Sequence, residues 1–159
     1  DLSRYTARHP PEDPEEFEKG ILFLEGRKSR DGKEYWLNWV AFQVGPDRLV
    51  GQIELSLEPV SGTANLAYHV FAEHQRHGFA LEACRAVLEH GFQRLGLKTA
   101  LISMDQRNVA SWRLAEKLGA TRVSSEARVQ KIRGEWSDEF RYELTREDLE
   151  GRRGASPRA

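Results

Sequence analysis

The chain predicts a single-domain, mixed α/β fold, and three observations carry the prediction. The elements read from the sequence run strand, strand, strand, helix, strand, helix, strand, strand. Helices that follow the third and fourth strands can serve as crossovers, which makes the sheet parallel locally and antiparallel at both ends. The length of 159 residues, 39% of them hydrophobic, suits one ordinary soluble core.

The elements follow in order. Asp13 as N-cap, Pro14 at the first helical position and Glu16 three residues after the cap open a helix whose Phe17, Ile21 and Leu24 fall on one face. Residues 35–44 and 48–57, joined by Gly45, Pro46 and Asp47, read as an antiparallel hairpin. In its second strand Gln52, Glu54 and Ser56 alternate with Gly51, Ile53, Leu55 and Leu57, so one face is polar enough to meet a substrate. Residues 64–70, "ANLAYHV", form a third strand that feeds "HQRHGFALEACRAV". From Phe79 onward Ala80, Ala83, Cys84, Val87, Leu88, Gly91, Phe92 and Leu95 recur at helical spacing until Gly96 ends the helix. "KTALISM" is a buried strand, and "NVASWRLAEKLG" a second helix with Asn108 at its start and Gly119 after its end. "ARVQKIR", a turn at Gly134 and "DEFRYELT" make a closing hairpin. The domain spans 1–146, and 147–159, ending small and basic, is expected to be a disordered tail.

Composition narrows the function. Twenty-four Lys plus Arg against twenty-five Asp plus Glu leave a net charge of −1. No field draws in nucleic acid or an anionic membrane, so neither is expected as a partner. The lone cysteine, Cys84, can make no internal disulfide and reads as a small buried hydrophobe. No stretch approaches a membrane span and the first residues lack the apolar core of a signal peptide, so a cytoplasmic protein is expected, as monomer or homodimer.

Where a strand runs through a polar loop with a glycine into a helix, unpaired backbone N–H groups meet the positive end of the helix dipole. Gly78 would let a phosphate approach the backbone, Ala80 keeps the helix wall open, and Arg76 and His77 can add charge. Taken alone, the segment reads more simply as a plain strand-to-helix turn than as an anion site. The later helix brings Asn108 and Ser111 onto one face, where they can bond a ligand, or merely cap and coat the helix. His69, His74 and His77 suggest zinc, but no cysteine or carboxylate spacing supports a metal, and none is expected. The tryptophans Trp36, Trp39, Trp112 and Trp136 belong in the core or at the rim of an acceptor cleft.

Together these segments resemble the GNAT superfamily of N-acetyltransferases, which bind acetyl-coenzyme A. The superfamily's pyrophosphate loop is Gln or Arg, two residues, Gly, one residue, Gly or Ala. It stands here as Gln75, Arg76, His77, Gly78, Phe79, Ala80. "NVASWRLAEKLGA" is similar to the later motif, and the resemblance covers residues 13 to 145. The Asn108 and Ser111 pairing, "YWLNWVAF" and "KIRGEWSDEFRYEL" resemble the RimJ/RimL-like branch, named for acetyltransferases of ribosomal-protein N-termini.

The resemblance implies a centrally splayed sheet and direct acetyl transfer from acetyl-CoA to an amine, either a protein N-terminus or a small molecule. It implies that the N–H groups of Arg76 to Ala80 take the pyrophosphate, that the strand end at His69, Val70 and Phe71 takes the pantetheine amides, and that a backbone N–H near Val70 stabilises the oxyanion. Ala115 stands where many members carry a tyrosine acid, which leaves Ser111 to assist the departing thiolate. Asn65 stands where many have a carboxylate, so Glu54, with His69 and Glu73 behind it, becomes the candidate base, with a water chain as the alternative. A catalytically weak acyl-CoA-binding module is the competing expectation. The superfamily also has a strand and helix before "DPEEFEKG", so a chain trimmed at its front is expected.

Overall fold

Residues with alternating burial over Tyr35–Gln43 (β1) and Arg48–Glu58 (β2) form an antiparallel hairpin in the computed structural model, which describes residues 25–45 and 47–152 together with Tyr5 and Glu15. In β2 the period of two buries Ile53, Leu55 and Leu57 on one face and leaves Gln52, Glu54 and Ser56 half-buried on the other. Thr63–Val70 (β3) pairs antiparallel with β2, and its register puts Ala64 beside Leu57 and Leu66 beside Leu55, on the apolar face. The chain continues through Phe79–Arg94 (α1), Thr99–Asp105 (β4), Val109–Leu118 (α2), Thr121–Ile132 (β5), Glu135–Leu144 (β6) and Arg146–Gly151 (α3). Among the described residues the sheet has six strands in the order β1-β2-β3-β4-β6-β5, parallel only where β3 meets β4. This is the mixed sheet expected from the element order.

Its central pairing is short. Thr63 to Asn65 lie against Thr99 to Leu101, after which β3 keeps only β2 as a partner while β4 pairs with β6 out to Asp105. The sheet therefore opens into a splay beyond Asn65. Both long helices pack on the same face: Cys84, Val87, Leu88 and Phe92 of α1, and Ala115 and Leu118 of α2, share one core with Ile53, Leu55, Leu66, Ile102 and Tyr142. Cys84 is fully buried, and burial pushes its thiol up to about 12, so it stays protonated and inert. No helix among the described residues is long and apolar enough to cross a membrane.

The closing strands begin at Thr121 and Glu135, earlier than the expected Ala127 and Asp138, because bulges after Arg122 and Glu126 break the alternation by which strands are recognised. The tail expected from 147 instead starts as α3: Thr145 and Asp148 form a reciprocal capping box, and Leu149 is 2% exposed. Arg85 and Arg146, whose guanidinium groups donate to the carbonyls of Leu149 and Phe92, tie α3 to α1. Of the helix expected from Asp13, Glu15 is described and is helical, as is Glu25, while Phe17, Ile21 and Leu24 lie, like the residues from 153 onward, outside the described residues.

Candidate active site

The loop between β3 and α1 has the shape its residue types demand. After a short 3₁₀ turn at Ala72–His74, Arg76 has φ +65° and Gly78 has φ +88°, both left-handed, and the helix starts at Phe79 with no side-chain cap. The first amide after the loop that donates back into the chain is that of Glu82, to the carbonyl of Gly78. Among the described residues the N–H groups of Arg76, His77, Gly78, Phe79 and Ala80 have no acceptor. A Cβ built on Gly78 would have nothing within 4 Å, so the cradle is open on that side. Such left-handed turns leading into a helix N-terminus make concave anion sites, and the residues present fit a pyrophosphate. His77 stacks on the Phe79 ring and His74 meets its edge, so both histidines are packing groups here.

Backbone alternation decides what β3 offers to the splay. The Phe71 N–H donates to the Val50 carbonyl at 3.0 Å, so by alternation the polar groups of His69 face β2 while those of Val70, Tyr68 and Leu66 face the opening. The Val70 carbonyl accepts from Gln75 Nε2 at 3.0 Å. Of the expected strand-end residues, Val70 alone turns its backbone into the splay; the Phe71 carbonyl is taken by the His74 amide. Gln75 spends its side-chain amide on bracing this strand end.

Tyr68 was not singled out from the sequence. Its hydroxyl lies 2.5 Å from Ser111 Oγ, with either group able to donate, and 3.2 Å from the Ser111 carbonyl. Burial pushes the Tyr68 phenol well above its ordinary value, the Ser111 hydrogen bond pulls it partly back, and the Cys84 thiol adds to the rise. The phenol is therefore a proton-bearing donor at any ordinary pH. When Tyr68 donates to Oγ, the Ser111 hydroxyl hydrogen is free to point onward. Asn108 caps α2 through Oδ1, which accepts from the Ser111 amide at 3.2 Å. Because Tyr68 can in part replace Ser111 as donor, Ser111→Ala is expected to slow turnover only about threefold to tenfold; the double variant Ser111→Ala, Tyr68→Phe should cost more than either single change. Steady-state rates across that cycle check it.

The turn ahead of Asn108 is held by Asp105, which is 3% exposed. Its carboxylate accepts from Arg107 Nε at 2.9 Å, Arg107 Nη2 at 2.7 Å, the Arg107 amide at 2.8 Å and Ser137 Oγ at 2.8 Å. Arg107 Nη1 continues to Glu135 at 2.8 Å. This cluster locks the start of α2 to β6. The Arg107 hydrogen bonds, opposed by burial and aided by the Ser137 hydroxyl, hold the Asp105 carboxyl below its usual range. A depressed carboxylate contributes stability above its unfolded value of about 4 that fades as the pH falls through the folded value. Asp105→Ala is accordingly expected to cost on the order of 2 kcal/mol at pH 7, with the gap to wild type narrowing below about pH 4; melting temperatures across that range check it.

Glu54 projects from the other face of the sheet. It accepts from Gln52 Nε2 at 3.0 Å, and the same nitrogen donates to Asn38 Oδ1 at 3.1 Å. Glu54 pairs with Ala67 and Gln52 with His69 across to β3, so this polar row runs along the face opposite Tyr68. The structure thus puts the two expected catalytic side chains, Glu54 and Ser111, on opposite faces, with the backbone of Val70 between them.

A family model described as an acetyltransferase (GNAT) domain matches residues 1–121. This chain belongs to the GNAT family. Like other GNAT members it is an acetyl-CoA-dependent N-acetyltransferase. It is 28% identical over 133 residues to the uncharacterized N-acetyltransferase YnaD of Bacillus subtilis, covering 82% of this chain and 78% of that protein. It is 31% identical over 123 residues to the probable N-acetyltransferase YjcK of the same organism, covering 76% and 66%. Among solved structures, a spermidine N-acetyltransferase from Vibrio cholerae in complex with CoA and spermine superposes with a TM-score of 0.80 at 21% identity, over 93% of this chain and 84% of that one. That likeness establishes the GNAT fold.

Sequence reasoning missed Tyr68 and the Asp105 cluster for different reasons. Tyr68 shares the alternation of Ala64 and Leu66, which marks it as a core phenol in need of a partner, and that signal was available. The partnership of Asp105 with Ser137 spans 32 positions, and nothing local announces it.

Proposed function

We propose that this GNAT enzyme acetylates a small cationic primary amine, with polyamines as the leading acceptor class and a protein N-terminus, as in the RimJ/RimL-like branch, as the second. One observation carries the reading: the edge-facing peptide of Val70 stands between a carboxylate on one face, Glu54, and a hydroxyl pair on the other, Tyr68 and Ser111. Acetyl-CoA supplies the activated thioester. The amides of Arg76 to Ala80 would hold its pyrophosphate and the Val70 N–H its carbonyl oxygen, a donor whose loss in comparable sites costs about 3 kcal/mol. Glu54 would attract the ammonium form of the acceptor and take a proton as the amine attacks. Ser111, backed by Tyr68, would give a hydrogen bond to the thiolate, whose low basicity asks for little more.

The polyamine class is favoured by the V. cholerae neighbour solved with spermine and by the carboxamide and carboxylate row of exposed Asn38 and half-buried Gln52 and Glu54. We assign the activity to the cytoplasm, where the single protonated thiol of Cys84 is at no disadvantage. Specificity constants for spermidine, a set of free-N-terminal peptides and a neutral-chain monoamine test the acceptor: spermidine should lead by at least about tenfold, and faster peptide acetylation would reassign the enzyme to N-termini. Ala115 and Asn65, at positions where many relatives keep an acid and a base, favour the rival reading of a weak acyl-CoA-binding module. Tight acetyl-CoA binding with no thiol released by any amine would establish that rival.

A further inference from the structure

Gly51 sits in the interior of β2, opposite Val70, where a glycine weakens a strand unless another backbone must come close. Another backbone does. A Cβ on Gly51 would lie 2.1 Å from the His69 carbonyl oxygen, 3.1 Å from its carbon and 3.0 Å from the Val70 Cα. The oxygen is nearer than the carbon by most of a C=O bond length of about 1.2 Å, so the carbonyl points into the space that only a glycine leaves. In a trans peptide the N–H of the next residue points opposite to that carbonyl, so the Val70 N–H is aimed away from β2 and into the splay. The next peptide is braced independently, because Gln75 Nε2 donates to the Val70 carbonyl at 3.0 Å and the Phe71 N–H to the Val50 carbonyl at 3.0 Å.

We propose that Gly51 and Gln75 are positioning residues that aim the Val70 N–H at the carbonyl oxygen of a thioester bound in the splay. The proposal rests on the reading of Val70 as the oxyanion donor. Neither side chain touches the reacting atoms: Gly51 acts through the tilt of the peptide joining His69 to Val70, and Gln75 through the carbonyl of Val70. A methyl at position 51 would meet backbone, which cannot swing aside as a side chain can, so the peptide must turn and the donor lose its aim. Gly51→Ala should lower kcat about tenfold to a hundredfold with the KM for acetyl-CoA within about twofold, since the loop from Arg76 to Ala80 is untouched. Gln75→Leu should show a smaller kcat loss, about fivefold.

The deciding experiment is isotope-edited infrared spectroscopy of carbonyl-labelled acetyl-CoA bound to the full chain without acceptor, alongside calorimetric affinity for CoA. In the wild type the thioester carbonyl band should lie below its position in free acetyl-CoA, and in both variants it should return toward the free position with CoA affinity retained. A lowered band that persists in folded Gly51→Ala, or in Gln75→Leu should Gly51→Ala fail to fold, overturns the positioning role and leaves the Val70 reading standing. No lowered band in the wild type overturns the Val70 reading itself. Parallel loss of CoA affinity and kcat in both variants reduces the two residues to a structural role and overturns the proposal.

Discussion

Glu54→Gln is expected to lower kcat/KM for the amine about a hundredfold while acetyl-CoA affinity stays within about twofold. The substitution keeps the shape of the side chain and its contact with Gln52 Nε2, and removes only charge and basicity. An aliphatic amine is almost wholly protonated at neutral pH, so a nearby carboxylate helps twice, by concentrating the cation and by accepting its proton. Above the acceptor's own titration range the free amine no longer depends on that help. The deficit of Glu54→Gln should therefore shrink as the pH rises toward 10, and pH–rate profiles of the two proteins measure this. A variant that matches wild type at pH 7 would transfer the proton step to His69 or a water chain. Of the other side chains on the same face, Asn65 and Ser56 cannot act as bases, whereas His69, opposite Gln52, can accept a proton.

Gly78→Val should weaken acetyl-CoA binding by at least about tenfold, with the fold intact. At φ +88° a β-branched residue is disfavoured, and its side chain would stand where no protein atom lies within 4 Å, the space a phosphate needs to reach the loop amides. Because nothing in the protein is struck, the loop is strained locally while the core of α1, from Cys84 to Phe92, keeps its packing. Calorimetric titration of CoA, with circular dichroism as the fold control, checks the outcome. Unchanged affinity in a folded variant would remove the loop from the site.

The two glycine-punctuated helices were legible in the sequence almost to the residue, because each carries local signals at both ends: Gly78 and Gly96 around α1, Asn108 and Gly119 around α2. The hairpin of β1 and β2 was legible for the same reason, through the alternation of β2 and a turn at Gly45 and Asp47. β5 was foreseen only in its second half because its bulges disrupt the period of two, and α3 escaped notice because six residues cannot show a helical repeat. At the site, the shape of the loop from Gln75 to Ala80 could be read because a left-handed turn into a helix N-terminus leaves a glycine signature. The pairing of Tyr68 with Ser111 and the bracing of Val70 by Gly51 and Gln75 could not, since each depends on how far β3 leaves β4 and on contacts between distant segments. Opposite-face placement of Glu54 and Ser111 likewise follows from strand register, which a list of motifs does not contain.

The most direct test is a crystal structure of the protein with acetyl-CoA and an unreactive acceptor analogue. The pyrophosphate should sit on the amides of Arg76 to Ala80 and the thioester carbonyl oxygen within hydrogen-bond distance of the Val70 N–H. Ser111 should face the sulfur, and the analogue's nitrogen should lie on the Glu54 side of the sheet. A cofactor bound away from the splay, or an acceptor nitrogen on the Tyr68 face with Glu54 remote from it, would contradict the account.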